Sequence, residues 1–338
     1  MSGQGEALPW CVAVEHGGNA LRRLLALTFV AVAALSAPAL AEYPTRQVTI
    51  VVPFGPGSVT DAAARLLARE LQAMLGQPFV IENKVGGGGI IAASAVARAQ
   101  PDGYMLLVTT NTTHSAAPGL FKNVPYDPIK DFDPVARIGS FPSVVAVNPG
   151  LPIHSMAELV AYAKAHPGKL EYGHGNSTGQ IVGEAIKNRT GIDIVRVAYR
   201  SNPAAVTDLI AGHIAMMIPD FGTGLEQLRA GKIRALAVPH KVRNSQIPDV
   251  PTLDETVMPG FDILAWVGMF APAGTPPEAI ARLAGAMKVI LEKPETQRRF
   301  VDTGTNVFFA GPAEFGAYVK DELPKWLALI REAGIEPE

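Results

Sequence analysis

The chain has 338 residues, 48% of them hydrophobic, and its 29 basic and 31 acidic residues give a formal net charge of −2. This length exceeds one small domain and suits two, with enough apolar residues for two buried cores. The balanced charge excludes the strong positive field that a nucleic-acid binder or an anionic-membrane binder needs.

The first forty residues are typical of a secretory signal peptide. Arg22 and Arg23 precede an apolar segment at 24–34, and residues 39–41 read Ala-Leu-Ala, an A-x-A cleavage motif. The apolar segment is shorter than the roughly 20 residues of a membrane span. We therefore expect a leader at 1–41 that is cut after Ala41, and an exported mature protein.

The only cysteine, Cys11, lies in this leader. The mature chain is therefore expected to contain no disulfide and no cysteine metal ligand. Its stability then has to come from its hydrophobic cores.

After residue 41, short β-branched segments alternate with helical periodicity, which predicts βαβ units and parallel sheets. The predicted strands are 47–53, 79–82, 105–109, 143–147, 170–173, 194–198, 214–218 and 233–238. The predicted helices are 60–75, 90–99, 156–165, 180–188, 203–211, 277–291, 294–303 and 313–333. No repeat or low-complexity linker separates them, which favours two lobes joined by crossing strands.

The segment from Pro53 to Asp61 lies between the first predicted strand and the first predicted helix. Open α/β sheets bind ligands at this end of their strands, and a helix N-terminus favours an anion. Its glycines allow a ligand to approach the backbone closely. Ser58 and Asp61 have capping-box spacing, so Asp61 is expected to brace the turn. An ordinary capped turn explains the same spacing equally well.

A serine-hydrolase motif occurs later in the chain. Residues 175–179 match G-x-S-x-G with Ser177 as the nucleophile, and Asp220 and His240 could complete a triad by chain order. The preceding strand at 170–173 is short and polar, and no His-Gly-Gly oxyanion segment lies upstream in the mature chain. A Gly/Ser/Thr loop that binds a ligand is therefore favoured, and an exported serine hydrolase remains the alternative.

Cofactor and metal signals are weak. Residues 87–92 match G-x-G-x-x-A, but the motif follows the second strand, and no acidic residue ends a strand about twenty residues later. The histidines after the leader show no metal-ligand spacing. We expect neither a cofactor nor a metal. His114 ends the sequence TTNTTH at 109–114, whose hydroxyl and amide groups could donate to a carboxylate or form a solvated loop.

An ordered set of short motifs covers essentially the whole mature chain. The set comprises Tyr43-Pro44, residues 52–61 (VPFGPGSVTD), 75–78 (LGQP), 86–89 (GGGG), 101–104 (PDGY), 125–128 (PYDP), 131–132 (DF), 234–238 (RALAV), 248–252 (PDVPT), 270–276 (FAPAGTP) and Gly334-Ile335. In this order the motifs resemble the Bug family, the periplasmic solute receptors of tripartite tricarboxylate transporters.

This resemblance implies a type II periplasmic-binding-protein fold, in which two α/β lobes close over a ligand, and it implies no enzyme activity. Lobe 1 is expected at 42–144 plus 265–338 and lobe 2 at 145–264. The family's ligand loops fall on Phe54, Gly55, Gly57 and Ser58, on Thr110, Asn111, Thr113 and His114, and on Ser177, Thr178 and Tyr199. Asp61 and Asp220 complete the candidate ligand-binding set.

The chain departs from the family pattern in its ligand loops. Ser58 replaces a usual glycine, and Gln180 occupies a place usually held by histidine. Pro219 replaces a usual aspartate, with Asp220 one residue later, which favours a plain carboxylate over an amino acid. Arg200 is the nearby cation that could add a bidentate contact.

The sequence thus predicts a monomeric periplasmic receptor that captures a small carboxylate and delivers it to the permease subunits of a tripartite transporter. A receptor that feeds a sensor protein is an alternative that the sequence leaves open. Binding of nucleic acid is not expected.

Overall fold

In the computed structural model, which describes residues 42–338, two β-sheets organise the chain. The expected leader and its cut after Ala41 lie outside the described residues. Strands of the first sheet are β1 (Val48–Val52), β2 (Phe79–Asn83), β3 (Met105–Thr110), β4 (Phe132–Phe141), β10 (Ala265–Pro272) and β11 (Asn306–Ala310). Strands of the second are β5 (Val145–Val147), β6 (Leu170–His174), β7 (Ile194–Ala198), β8 (Met216–Met217) and β9 (Arg234–Ala237).

Helices cover both sheets. Between β1 and β4, the chain forms the helices α1 (Val59–Leu75), α2 (Ile90–Ala97) and α3 (Ala117–Leu120). The second sheet is accompanied by α4 (Met156–Ala165), α5 (Ser177–Thr190), α6 (Asn202–Ala211) and α7 (Phe221–Arg229). The chain ends with α8 (Pro277–Glu292), α9 (Pro294–Asp302) and α10 (Pro312–Glu332).

The strand order of the first sheet is β11-β4-β10-β3-β1-β2, and that of the second is β7-β6-β8-β5-β9. β1 pairs in parallel with β2 and β3, whereas β10 returns antiparallel between β3 and β4. The chain therefore crosses between the sheets twice, once between β4 and β5 and once between β9 and β10. This arrangement is the two-lobed α/β fold of periplasmic binding proteins, as expected.

Three strands and two helices were not predicted from the sequence: β4, β10, β11, α3 and α7. β4 contains Pro134 and Gly139, which weaken a strand signal, and every residue of β10 is buried, so it shows no alternation. Elsewhere the elements agree to within a few residues. Ser143, expected in a strand, instead forms an isolated bridge to Asp220 at the first crossing.

The last helix packs against both lobes. Phe315 and Val319 lie in a core built from first-sheet residues, whereas Trp326 and Ile330 lie in the core that surrounds the second sheet. The end of a segment expected in lobe 1 therefore contributes to the core of lobe 2. Among the described helices, none combines the length and the apolarity that a membrane span requires.

Candidate functional site

The turn between β1 and α1 presents backbone N–H groups at the edge of the first sheet. Ser58 caps α1, because its Oγ accepts a hydrogen bond from the Asp61 N–H at 3.2 Å. Four N–H groups here have no hydrogen-bond partner among residues 42–338, namely those of Phe54, Gly55, Val59 and Thr60. The beginning of α1 thus offers free donors together with the positive end of the helix dipole.

Asp61 braces this turn, as expected. Its carboxylate accepts hydrogen bonds from the Gly57 N–H at 3.0 Å, from Arg65 Nε at 2.9 Å and from Asn83 Nδ2 at 2.9 Å. Asn83 Nδ2 also donates to the Phe54 carbonyl oxygen at 2.9 Å. Burial alone raises the pKa of Asp61, but these donors together hold it below its usual value. The carboxylate is therefore ionised and fully engaged within lobe 1.

The hydroxyl-rich segment after β3 continues into a π-helical turn, Thr112–Ala116. Thr113 Oγ1 bonds Thr109 Oγ1 at 2.7 Å, and the ring of His114 stacks on Phe270 with centroids 3.9 Å apart. Both side chains are completely buried. Burial lowers the pKa of His114 to about 3, so the imidazole is neutral. This half of the segment is part of the lobe 1 interior.

Three further helix N-termini come from lobe 2. Asn176 caps α5, where its Oδ1 accepts from the Gly179 N–H at 2.9 Å, and Asp220 caps α7, where its Oδ1 accepts from the Thr223 N–H at 3.0 Å. Ser201 precedes α6 without a side-chain capping bond. Each of these ends carries a partial positive charge.

All four helix N-termini border one small cavity between the lobes, named here the inner chamber, with a volume of about 20 Å³. Its lining is Phe54, Ser58, Val59, Thr60, Thr110, Asn111, Thr112, Phe141, Ser143, Gly175, Asn176, Thr178, Asn202, Ile218, Asp220 and Ala265. This volume holds about one water-sized group. The convergence of helix ends on so small a space suits the head group of an anion.

A larger cavity, the outer chamber, adjoins it and has a volume of about 340 Å³. Its lining is Pro53, Phe54, Gly86, Gly87, Gly88, Gly89, Thr112, Leu120, Phe121, His174, Gly175, Asn176, Ser177, Gln180, Arg196, Ala198, Tyr199, Arg200 and Glu338. Four residues line both chambers: Phe54, Thr112, Gly175 and Asn176. The two chambers are therefore neighbouring parts of one cleft.

Direct hydrogen bonds join the lobes beside the inner chamber. Asn111 Nδ2 donates to Ser177 Oγ at 3.2 Å and to Thr178 Oγ1 at 3.3 Å, and Thr112 Oγ1 lies 2.9 Å from Ser177 Oγ. The described conformation is thus closed. Because these bonds exist only when the lobes meet, they favour closure.

Two buried acceptors at the inner chamber lack a partner within the described part of the chain. They are Asn111 Oδ1 on lobe 1 and Asn202 Oδ1 on lobe 2. Unpaired buried polar atoms are uncommon in native proteins and costly. A ligand hydroxyl group or a bridging water would satisfy both atoms, which makes this position suited to a polar ligand.

Asp220 brings a carboxylate to the same chamber. Its Oδ2 accepts from Asn202 Nδ2 at 2.5 Å, and its Oδ1 accepts from Thr223 Oγ1 at 2.8 Å. Burial is the largest influence and raises the pKa of Asp220 above its usual value, although these hydrogen bonds oppose it. No ion pair to Asp220 occurs among residues 42–338.

The triad of a serine hydrolase is not assembled. The side-chain partners of Ser177 Oγ are Asn111 and Thr112, and no histidine in the described chain bonds to it. Both ring nitrogens of His240 are buried without a partner, and Asp220 is engaged with Asn202. Ser177 therefore has no general base. Within residues 42–338, no group of three or more His, Cys, Asp or Glu could hold a metal ion.

The sequence-predicted residues separate into three groups. Lining the inner chamber are Phe54, Ser58, Thr110, Asn111, Thr178 and Asp220. Lining the outer chamber are Phe54, Ser177 and Tyr199. Lining neither are Gly55, Gly57, Asp61, Thr113 and His114. In this last group, the hydrogen bond between Gly57 and Asp61 stabilises the turn, and Gly55 lies against Ser201. The side chains of Thr113 and His114 are buried in the interior of lobe 1.

Sequence reasoning missed several lining residues, including Ser143 and Asn202. Ser201-Asn202-Pro203 is a typical helix start and could have marked the N-terminus of α6 as a second-lobe contact. Ser143 carries no such signal, because only the crossing between the lobes brings it to the chamber.

Comparisons with known proteins give the family. Residues 63–335 match the sequence profile described as "Tripartite tricarboxylate transporter family receptor". Protein BugT of Bordetella pertussis (strain Tohama I) is 35% identical over 320 residues, which cover 93% of this chain and 98% of that protein.

Two solved structures share both sequence and fold with this chain. "R. palustris Rpa4515 with adipate" has 34% identity and a TM-score of 0.85 and covers 88% of this chain and 100% of that one. "Structure of periplasmic binding protein BugD" has 33% identity and a TM-score of 0.83 and covers 88% and 100%. These relatives are solute receptors and not enzymes, and the chain belongs to the Bug family, the receptors of tripartite tricarboxylate transporters.

Proposed function

We propose that this protein captures a small organic carboxylate in the periplasm and delivers it to the permease of a tripartite transporter. The observation that carries the proposal is the convergence of four helix N-termini on the inner chamber. The free N–H groups at the start of α1 and the partial positive charges of all four helix ends can hold a carboxylate without an arginine. Binding of adipate by the R. palustris relative supports the same ligand class.

Lobe closure completes the site. The inner chamber takes lining residues from both lobes, with Ser58 and Asn111 on one side and Thr178 and Asn202 on the other. A bound carboxylate would therefore stabilise the closed form by contacting both lobes at once. The site contains no assembled nucleophile, which agrees with capture and release rather than chemistry.

Titration calorimetry with a panel of organic acids and their neutral amides tests the ligand class. We expect the protein purified after export to bind at least one acid and to bind its amide at least ten-fold more weakly. X-ray scattering of the same samples should show compaction with the acid. If no acid in the panel binds, the proposed function is wrong.

Ser58→Leu tests the position of the carboxylate. The larger side chain fills the inner chamber and also removes the cap of α1, which costs about 1 kcal/mol of stability. Ser155→Leu is the matched control, because Ser155 caps α4 in the same way, with 3.2 Å from its Oγ to the Glu158 N–H, and lines neither chamber. We expect acid binding to be lost only in Ser58→Leu. Equal affinity in both variants would contradict the assignment.

The delivery role and the localisation have separate tests. Deleting the gene should abolish uptake of the radiolabelled acid, and wild-type protein but not Ser58→Leu should restore it. Uptake that survives deletion would instead favour a receptor that feeds a sensor.

We expect the periplasmic form to begin at Glu42, as read by intact mass, and to be a monomer in light scattering.

A further inference from the structure

One aromatic side chain contributes to the wall of the outer chamber. Phe121 lines this chamber, is half-buried and packs against the core that surrounds the second sheet. Gly88, in the turn that follows β2, lines the same chamber. A Cβ atom added at Gly88 would lie 2.5 Å from Phe121 Cζ, so the tip of the ring contacts the glycine backbone directly.

The glycine turn is shaped to accept this ring. Gly88 has a φ of 59°, which disfavours any side chain, and a side chain there would also clash with Phe121. At Gly89, a Cβ atom would lie 2.6 Å from Thr113 Cγ2. The glycines at 86–89, which resemble a dinucleotide motif in sequence, thus allow close packing between the turn and its neighbours.

The contact between Phe121 and Gly88 spans the cleft. The chain leaves the interior of lobe 1 after Thr113, and Ala116 and Leu120 already lie in the core that surrounds the second sheet. Phe121 therefore packs with lobe 2, although its segment was expected in lobe 1. Gly88, by contrast, belongs to the first sheet's lobe.

Hydrogen bonds on both sides of Phe121 fix its backbone. The Glu338 N–H donates to the Leu120 carbonyl oxygen and the Lys122 N–H donates to the Glu338 carbonyl oxygen, both at 2.9 Å. The carboxylate of Glu338 pairs with Arg196 of β7, the edge strand of the second sheet, and both residues line the outer chamber. A continuous set of contacts thus runs from the glycine turn to β7.

This wall can open without disturbing either core. The ion pair between Arg196 and Glu338 is partly exposed, so it is screened by water and contributes little to stability. The half-buried ring of Phe121 can rotate away from Gly88 while the protein stays folded. The hydrogen bonds from Asn111 to Ser177, which join the lobes at the inner chamber, do not involve this ring.

We propose that Phe121 is a gate of the outer chamber. Packed on Gly88, its ring closes the chamber, and its displacement lets a solute enter or leave while the lobes stay joined at Asn111 and Ser177. The gate sets the rates of entry and release, whereas the inner chamber sets the affinity. The inference rests on the proposed function only for the nature of the solute.

Thiol labelling with dithionitrobenzoate tests the gate without any ligand. In a Cys11→Ser background, which removes the only natural cysteine, Gln180→Cys reports on the outer chamber and Ser143→Cys on the inner chamber. Both positions are less than a tenth exposed. We expect Phe121→Ala to speed labelling at position 180 at least ten-fold and to change labelling at position 143 less than two-fold.

Gly88→Ala tests the contact from the other side, with Gly191→Ala as the matched control. The two glycines have φ values of 59° and 64°, so alanine is strained at both. Only at Gly88 would the new Cβ meet Phe121, whereas no atom of the described chain lies within 4 Å of a Cβ at Gly191. Gly88→Ala should speed labelling at position 180, and Gly191→Ala should not. Circular dichroism verifies that each variant is folded.

Each result decides the proposal. Unchanged labelling at position 180 in Phe121→Ala or in Gly88→Ala would overturn the gate. Equal acceleration at positions 180 and 143 would show that Phe121 holds the lobes together, which also overturns it. Acceleration by Gly191→Ala as large as that by Gly88→Ala would assign the effect to general strain. Since the assay contains no carboxylate, the gate can fail while the proposed function stands, and the reverse.

Discussion

Two aspartates lie at helix N-termini on opposite sides of the cleft, and their surroundings differ. Asp61, in the first turn of α1, bonds to Arg65 and has a lowered pKa. Asp220, which caps α7, lines the inner chamber, forms no ion pair within the described part of the chain and has a raised pKa, chiefly through burial. Two carboxylates at similar positions on a helix therefore have different roles. Asp61 stabilises the turn, whereas the charge of Asp220 would act directly on a bound ligand.

This difference assigns separate tasks to the two sides. Lobe 1 presents a turn whose shape is fixed by internal hydrogen bonds before any ligand arrives. Lobe 2 brings an unpaired acceptor of Asn202 and the carboxylate of Asp220. We therefore expect changes in lobe 1 to alter stability and changes in lobe 2 to alter closure and pH dependence.

The largest expected effect comes from separating the two helices that carry these aspartates. A Cβ atom at Gly222, in α7, would overlap the Thr303 carbonyl oxygen and crowd Val59 of α1. Because this clash exists only when the lobes meet, Gly222→Ala should hinder closure. An overpacking cost of about 1–3 kcal/mol corresponds to a roughly five- to 150-fold loss of affinity.

Calorimetry and X-ray scattering measure this effect. Gly285→Ala is the matched control, because a Cβ there meets nothing within 4 Å in helix α8. The control should keep full affinity and gain about 0.5–1 kcal/mol of stability from the better helix former. Unchanged affinity in Gly222→Ala would show that binding does not need this closed contact.

The second prediction sets the two aspartates directly against each other. Asp61→Asn should destabilise the protein at pH 7 by about 2 kcal/mol, since the amide cannot accept from all of Gly57, Arg65 and Asn83. Asp220→Asn should be neutral or stabilising, because asparagine caps helices as well as aspartate and avoids a buried charge. Urea unfolding measures both variants. Changes of the same sign and size would remove the distinction.

The smallest effect is the pH dependence. A lowered pKa means that the contribution of Asp61 to stability is present above pH 4 and is lost as the pH falls through the folded-state pKa. A raised pKa means that the contribution of Asp220 is greatest below the usual aspartate pKa of 3.8 and is lost as the pH rises through the folded-state pKa.

Carboxylate affinity should follow the charge of Asp220. Its protonated form does not repel an anion, so affinity should fall as the pH rises through the raised pKa, by at most about ten-fold per pH unit. Calorimetry at several pH values should show this slope in the wild-type protein and a flat profile in Asp220→Asn. A slope that persists in the variant would assign the titration to another group.

Local signals in the sequence were enough to predict the turn, its cap and the periodic helices. α1 was expected at 60–75 and begins at Val59, and Asp61 braces the turn as its spacing from Ser58 suggested. These features depend on residues within a few positions of one another. The Bug-family membership, which came from ordered motifs, is also confirmed.

Features that depend on distant partners were not predictable in this way. β10 inserts antiparallel between β3 and β4, and a fully buried segment such as AWVGMFAP has no alternation to reveal it. His114 was expected to face a ligand, but the π-helical turn directs its ring onto Phe270. The bracing role of Asp61 was predicted, and Arg65 lies only four residues away on the same helix, but only the fold brings Asn83 to its carboxylate.

Helix α10 has a mechanical consequence for the receptor. Phe315 and Val319 are fixed in one core and Trp326 and Ile330 in the other, with Pro324 between them. Proline lacks the N–H that would complete the helical ladder, so the helix bends most easily there. We therefore expect separation of the lobes to bend this partly exposed helix near Pro324, because its two halves are held in different cores.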